Sequence, residues 1–505
     1  MHYFEEHLPS EERNAIPYLS TTVQFLDYIS DHYGDSIALS DQNQAVSYSE
    51  LALRVSRRRH VLEELHLPPR CNVGLFDTNT IAAVEWFLAL TTAGYTAVML
   101  PSALSEAVLI HTVQHYELKT IITGPTLIEK TNSLSIPIVP AYFIERNGSP
   151  YAFVTKNDCA AIFFTGGTTG TPKGVMLNHG ALMRGALNGT YRDGTMFGQT
   201  MVAALPFTHV FGMVFSMLSG LYTGSHMAVC GNMRDLFKEM ARAKPTTMIA
   251  VPGMAEMMLT VAQKRGVQAL GGRLKLIICG AAPVPERLMY SFKPYGIRVL
   301  SGYGMTETAN LVCGNLEQET HPDSVGRQYP CQEARIVNGE LQVKGDMLFS
   351  GYWKDEATTR AAFDGDWLKS GDLARVDEDG FIHIIGRIKN LIILGNGENV
   401  SPEEVEEVFY RSVCVQDCLV SETEIAGRPA IQLEVFPIDD VTDETLEQEM
   451  KRISDALPTT MRPARILIRH EPFEKSASLK IIRKKRGKSY GTEADGTAAG
   501  SSAGH

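Results

Sequence analysis

Nowhere in the 505 residues does an apolar run last long enough, uninterrupted, to cross a membrane. The nearest approach, Ile81 to Leu100, is interrupted by Glu85, broken at Gly94 and stopped by Pro101, so it reads as a buried helix followed by a buried strand. Basic charge is scarce too: 47 Lys and Arg face 58 Asp and Glu, a net charge of −11, which argues against non-specific nucleic-acid binding and offers acidic lipid no general basic face. Small molecules are the expected partners. No basic segment followed by an apolar core follows Met1, so no secretory signal is read and the expected compartment is the cytoplasm. The eight cysteines are scattered, which suits small buried hydrophobes in a reducing compartment and not a disulfide framework. Cys414 and Cys418 are the close pair; at i, i+4 they could share a helix face, but no second Cys or His pair stands near to complete a metal site. Internal repeats are lacking, and so is any evident Ser-His-Asp or paired acid-base arrangement.

What remains is an ordinary globular composition, 44% hydrophobic and 21% charged, which excludes a disordered or fibrous chain. At roughly 150 residues per domain, the length fits about three domains, or one large and one small. The most specific stretch is Phe163 to Gly174, FFTGGTTGTPKG. Cys159 to Phe164 reads as a short buried strand, so the following loop should leave a sheet edge with its backbone amides free. Gly166, Gly167 and Gly170 can aim successive N–H groups at one point, Thr165, Thr168 and Thr169 add hydroxyls, and Lys173 adds a full charge. That is a cradle for a polyphosphate. It is not a Walker A loop, because Lys173 follows Pro172 and precedes a Gly; the plain alternative is a flexible Gly/Thr surface loop.

A second specific stretch is Arg298 to Thr308, RVLSGYGMTET. A strand is expected to stop at Gly302, leaving Tyr303, Gly304, Thr306 and Glu307 clustered at a helix start. Thr306 can donate to an α-phosphate oxygen and Glu307 can hold Mg²⁺; the structural alternative is a capped helix in which Glu307 only favours the dipole.

Together these stretches resemble the phosphate-binding and Tyr-Gly-x-Thr-Glu motifs of the adenylate-forming superfamily, which includes acyl-CoA synthetases, luciferases and peptide-synthetase adenylation domains. Gly166 stands where the usual motif has Ser, as in some acyl-CoA ligases. The resemblance extends from Ser47 to Arg483. Ser47-Tyr-Ser-Glu-Leu51, a capping box opening a helix, and Ala93-Gly94-Tyr95 are similar to the first two family motifs; ahead of them, Thr22 to His32 has the spacing of a surface helix.

Further along, Met201 to Gly212 reads as a strand running into Pro206, with His209 and Phe211 opening a helical segment. The resemblance places His209 and Phe211 at the carboxylate end of an acyl pocket, with Met213 and Met305 beside them; Met213, Phe215, Met217 and Leu218 are pocket wall or simply core. The strand Arg273 to Cys279 ends in Gly280-Ala281-Ala282-Pro283, small enough for a planar ring to lie on the backbone, or merely a tight turn; the resemblance favours adenine there. Ser350 to Trp353 and Asp364 to Trp367 read as turns. Asp372, after Gly371, matches the family's ribose-binding carboxylate, Arg387 would add a second ribose contact, and Lys389 matches the hinge. Gly395 and Gly397 fall in the segment that lines the thiol channel, before a helix capped by Ser401 with Pro402 at its first position.

Near the end, Lys480 matches the lysine that bridges the acyl carboxylate and phosphate, although Leu479 replaces the usual Gly and Lys475 is a rival. Arg483 to Arg486 is otherwise a basic solvated run, and Ser489 to His505 should be disordered.

The implied fold class is α/β: a large N-terminal domain of layered α/β subdomains (1–386), a hinge (387–389), a small mobile C-terminal α+β domain (390–488) and a tail (489–505). The implied reaction joins a carboxylic acid, fatty or otherwise hydrophobic, to ATP·Mg²⁺ as an acyl-adenylate, then to coenzyme A as a thioester. Loading of a carrier-protein phosphopantetheine is one alternative; a nucleotide-binding protein without catalysis is another.

Overall fold

The computed structural model describes residues 16–142, 147–165, 173–190, 196, 198–394, 398–425, 427–438, 441–475 and 481–483. Within the large N-terminal domain, parallel strands buried on both faces build two sheets. Strands such as Leu276–Cys279 and Val73 to Phe76 are apolar throughout because helices cover them on both sides.

The nine-stranded sheet has Thr200–Ala203, Thr247–Ala250, Leu276–Cys279 and Arg298–Met305 side by side and parallel. The antiparallel strand Asn310–Gly314 follows, and Arg327–Gln328 forms the edge beyond it. The seven-stranded sheet places Cys159–Phe164 between Thr96–Met99 and Gly174–Asn178. The strand before the Gly/Thr loop is therefore interior, not at a sheet edge.

Local signals explain several boundaries. Ser47 accepts the Glu50 amide and starts the helix Tyr48–Glu64, while Thr80 caps Ile81–Thr92, which is buried almost all round and is followed by Thr96–Met99. The helix Thr22–Tyr33 buries Phe25, Leu26 and Ile29 and turns its other face outward. No helix among the described residues is long and apolar enough to cross a membrane.

A smaller antiparallel sheet, including Glu340–Gly345, Trp367–Val376 and Ile382–Arg387, adjoins these layers. Its last strand runs into a 3₁₀ turn, Ile388–Asn390, beyond which a separate apolar core begins. That core belongs to the small domain: the hairpin Val415–Ile425 and Arg428–Pro437, the parallel strand Arg465–Ile468, and the helices Pro402–Tyr410 and Asp443–Ala456. Phe409, Leu446 and Met450 are fully buried there, each stabilising by about 1.5–3 kcal/mol in transfer terms.

Four expectations are corrected. Arg298–Met305 does not stop at Gly302; it pairs onward with Asn310–Gly314, and Thr306–Thr308 form one 3₁₀ turn, not the start of a helix. Gly351–Tyr352 is a short strand, not a turn, because it pairs with Val175 and Met176. Cys414 and Cys418 share no helix, since Cys418 lies on a strand. Cys331 is exposed, not buried, at a positive φ of 65°.

Candidate active site

Three parallel strands of the nine-stranded sheet deliver side chains at their carboxyl ends, where open α/β sheets leave a crevice. After Thr200–Ala203 come His209 and Phe211; after Leu276–Cys279 comes Gly280; the extended end of Arg298–Met305 carries Tyr303, Gly304 and Met305, with Thr306 and Glu307 in the following turn. Phe211 begins a π-helix, Phe211–Leu218, a form that widens the turn and recurs at functional sites. His209 is half-buried and its carbonyl accepts the amides of Gly212 and Met213.

Close packing dictates two glycines. A Cβ on Gly280 would stand 3.2 Å from Phe211 Cζ and 3.4 Å from the Gly302 carbonyl. A Cβ on Gly304 would stand 1.9 Å from the Asn310 carbonyl oxygen, so the antiparallel pairing there admits no side chain. Ala281 takes a left-handed backbone with φ of 65°, which strains a residue with a Cβ. Ala281 and Pro283 are exposed and Ala282 half-buried.

From the other sheet, the strands flanking the Gly/Thr loop form a hairpin, closed where the Thr165 amide donates to the Lys173 carbonyl at 3.1 Å. Gly166, Gly167, Thr168, Thr169 and Gly170 lie outside the described residues. Lys173 Nζ sits 5.0 Å from the centroid of the Tyr352 ring, and the Tyr352 hydroxyl donates to Glu307 Oε1 at 2.8 Å. Burial, with the Glu307 carboxylate beside it, pushes the Tyr352 phenol well above its ordinary range.

A second cluster forms around Asp372, which is 2% exposed. Tyr303 donates its hydroxyl to Oδ2 at 2.6 Å, and Arg387 Nε lies 2.9 Å from Oδ1. Burial raises the Asp372 carboxyl, and the Arg387 guanidinium opposes that rise. Tyr303 links this cluster to Glu307 along four residues of chain. The structure thus brings Lys173, Glu307, Tyr303, Asp372, Arg387, Gly280 and Phe211 together from segments far apart in sequence.

Met213 is fully buried in the main core beside Phe215, Met217 and Leu218, and Met305 is half-buried against the same core. Lys389 is exposed in the 3₁₀ turn.

Lys480, Gly395 and Gly397 lie outside the described residues, but the ends of their segments are placed. Lys475 pairs with Ile481 in an isolated antiparallel bridge, and the Ile482 amide donates to the Glu474 carbonyl. Arg483 is not a solvated residue: it lies 2.5 Å from Glu406 and donates to the Val420 carbonyl.

Sequence reasoning missed Tyr352. Its signal was present in Ser350-Gly-Tyr-Trp353, but a Gly before two aromatics reads as a turn until the facing strand is known.

Among the described residues no three His, Cys, Asp or Glu side chains group as a metal centre. Glu307, nearly buried and, among the described residues, bonded through Oε1, is a single carboxylate, the donor set that suits a Mg²⁺ taking its other ligands from water and substrate phosphates.

Known proteins resemble this chain over most of its length. The AMP-binding enzyme family model matches residues 26–353. The chain is 27% identical over 473 residues to a 2-succinylbenzoate–CoA ligase of Bacillus cytotoxicus, covering 89% of this chain and 95% of that protein. It is 29% identical over 408 residues to a feruloyl-CoA synthase of Amycolatopsis sp, covering 74% and 80%. The solved o-succinylbenzoate–CoA synthetase of Bacillus subtilis, in complex with ATP and magnesium ion, superposes with a TM-score of 0.78 at 23% identity, covering 90% of this chain and 98% of that one. The chain belongs to the AMP-binding enzyme family, in the CoA-ligase branch of the adenylate-forming superfamily.

Proposed function

We propose that this ligase activates an acid with an apolar body, fatty or aromatic, as its acyl-adenylate and transfers the acyl group to coenzyme A, working in the cytoplasm. ATP, Mg²⁺ and coenzyme A serve it, and AMP leaves. The observation that carries the reading is the pairing of two clusters on one strand end: Lys173, Tyr352 and Glu307 beside Tyr303, Asp372 and Arg387.

The first cluster suits a triphosphate. Lys173 and the hydroxyls of Thr165, Thr168, Thr169 and Thr306 would hold its oxygens, with the amides of Gly166, Gly167 and Gly170. Bound at Glu307, Mg²⁺ would neutralise phosphate charge. The second cluster suits a ribose, whose hydroxyls would meet the remaining lone pairs of Asp372 and the guanidinium of Arg387. The backbone at Gly280, Ala281, Ala282 and Pro283 would lie along the adenine, with Tyr303 and Gly304 on its other side.

A carboxylate must then approach the α-phosphate in line although both are anions, so the residues contribute position and charge more than proton transfer. His209, Phe211 and Met305 would border the acid, and Lys480 would join its carboxylate to the phosphate. The proposed division is 1–386, a hinge at 387–389 with Lys389 as pivot, and 390–488, with Gly395 and Gly397 facing the thiol.

Pyrophosphate release measured with dodecanoate, ferulate and 2-succinylbenzoate, followed by thioester formation on coenzyme A or on a phosphopantetheinylated carrier protein, tests the reading. Release with an apolar acid and thioester on coenzyme A supports it. Transfer only to the carrier protein, or no release with any acid, overturns it.

A further inference from the structure

We infer that Tyr352 is a positioning residue for the nucleotide site: its ring seats Lys173 and its hydroxyl holds Glu307, so that one side chain keeps these opposite charges apart and aimed. The inference rests on the roles given above to Lys173 and Glu307.

Tyr352 is itself fixed on every side. Its strand pairs with Val175, two residues after Lys173, and its amide donates to Thr359 Oγ1 at 2.9 Å. Trp353 donates its amide to the Gly174 carbonyl at 2.8 Å. Phe349 packs edge-on against the ring with centroids 4.9 Å apart, and its amide donates to the Glu307 carbonyl at 2.8 Å. The three segments carrying Lys173, Glu307 and Tyr352 are therefore locked together by main-chain bonds, and the phenol stands between the two charges.

The arrangement solves an electrostatic problem. An ammonium and a nearly buried carboxylate converging on one site attract strongly in a partly dry setting, and a direct ion pair would consume both groups before any ligand arrived. Here the ammonium rests on the ring face, where the quadrupole is negative, while the carboxylate takes the hydroxyl at the ring's edge. Donation from the hydroxyl to a carboxylate also enriches the ring, which strengthens its hold on Lys173. The hydroxyl takes Oε1 of Glu307, and a metal would be held at the carboxylate's other oxygen.

The hydroxyl and the ring act on different quantities, which separates this role from general packing. ATP binding to the full chain is measured by calorimetry with and without Mg²⁺, alongside the melting temperature of each variant. Tyr352→Phe keeps the ring and frees Glu307: the Mg²⁺ concentration that half-saturates the enhancement of ATP binding should rise about tenfold, the scale of a charge-assisted hydrogen bond, with Mg²⁺-free ATP binding unchanged. Tyr352→Gln keeps a donor without the ring: the Mg²⁺ requirement should stay near that of the parent while Mg²⁺-free ATP binding weakens roughly two- to fivefold, the scale of an exposed cation–π contact.

Glu307→Gln and Lys173→Ala are the references. If they show the corresponding losses and both Tyr352 variants bind like the parent, the positioning role is overturned and the site reading stands. If Glu307→Gln leaves the Mg²⁺ response intact, the site reading falls and this inference with it. Equal losses of both quantities in both folded Tyr352 variants would mean packing alone and would also overturn it. Should Tyr352→Phe fail to fold, a parent-like Mg²⁺-free affinity in Tyr352→Gln overturns the ring's part and a weakened one supports it.

Discussion

Lys475 Nζ lies 2.8 Å from Asp417 Oδ2, within the small domain, and Asp417 is 8% side-chain exposed. This pairing argues for Lys480 over Lys475 as the acting lysine. An amine committed to a nearly buried carboxylate holds its own domain together and is a poor candidate to reach a substrate. Lys475→Ala should therefore lower small-domain stability by about 1–3 kcal/mol by leaving Asp417 uncompensated, while the folded fraction adenylates at close to the parent rate. Chemical denaturation followed by far-UV dichroism, set beside pyrophosphate release, reads both quantities; a large loss of adenylation in a fully folded variant would make Lys475 the acting lysine.

The space beside Gly280 is closed by the Phe211 ring, which a Cβ there would meet at 3.2 Å, and this gives a second prediction. In Gly280→Val the Cβ alone falls 3.2 Å from Phe211 Cζ, and the two branch carbons must displace the ring or the Gly302 carbonyl. The variant should fold with about 1–3 kcal/mol less stability and lose most ATP affinity, measured separately by melting and by calorimetry. Normal ATP affinity in the folded variant would remove the adenine from this strand end.

Much of this was legible in the sequence, and the missing part has a physical reason. The apolar strand before Gly280, the Ser47 cap and the Pro402 helix start are local signals, and the structure has each, although Glu50 turns to Arg54 instead of completing a capping box. The individual members of the site, Lys173, Glu307, Tyr303, Asp372 and Arg387, stood in motifs. That Tyr303 would bond to Asp372 was not legible, because the contact is made by strands more than sixty residues apart in sequence; Arg387 meets Asp372 as its partner on the neighbouring antiparallel strand. Tyr352 and Arg483 were misread for the same reason: a Gly-Tyr-Trp triplet and a basic run keep their plain local readings until the partner strand and Glu406 appear opposite them.

His179 supplies a pH prediction. It is 1% exposed, the Thr22 amide donates to its Nδ1 at 3.3 Å, and burial lowers its pKa from 6.5 to about 4. The sign follows from proton counting: between pH 6.5 and 4 the unfolded chain binds a proton that the folded chain refuses. The stability held above pH 6.5 is thus lost as pH falls toward 4, by up to about 3 kcal/mol from this group. His179→Gln should flatten that part of the stability-against-pH curve, measured by denaturant midpoints at half-unit steps. An unchanged slope would assign the acid sensitivity to other groups.

Lys480 and Lys389 provide the sharpest test, because they are assigned to different half-reactions. Lys480 would reach the carboxylate and phosphate; on either side of it, Lys475 bridges Ile481 and Arg483 pairs with Glu406. Lys389 sits in the exposed turn between the strand Ile382–Arg387 and the second core, where a change of backbone angles would swing the small domain as a unit. Lys480→Ala removes a charged donor acting on the developing transition state, so adenylation should fall roughly 10²–10³-fold, while thioester formation from supplied acyl-adenylate survives. Lys389→Pro fixes one φ in the turn; adenylation should persist and thioester formation should fall, since the rotation that admits the thiol is blocked. Four single-turnover rates, two variants by two half-reactions, decide the matter. If Lys480→Ala slows both steps equally, that lysine serves the fold and not the adenylation step. If Lys389→Pro slows both equally in a folded protein, the pivot lies elsewhere in the chain.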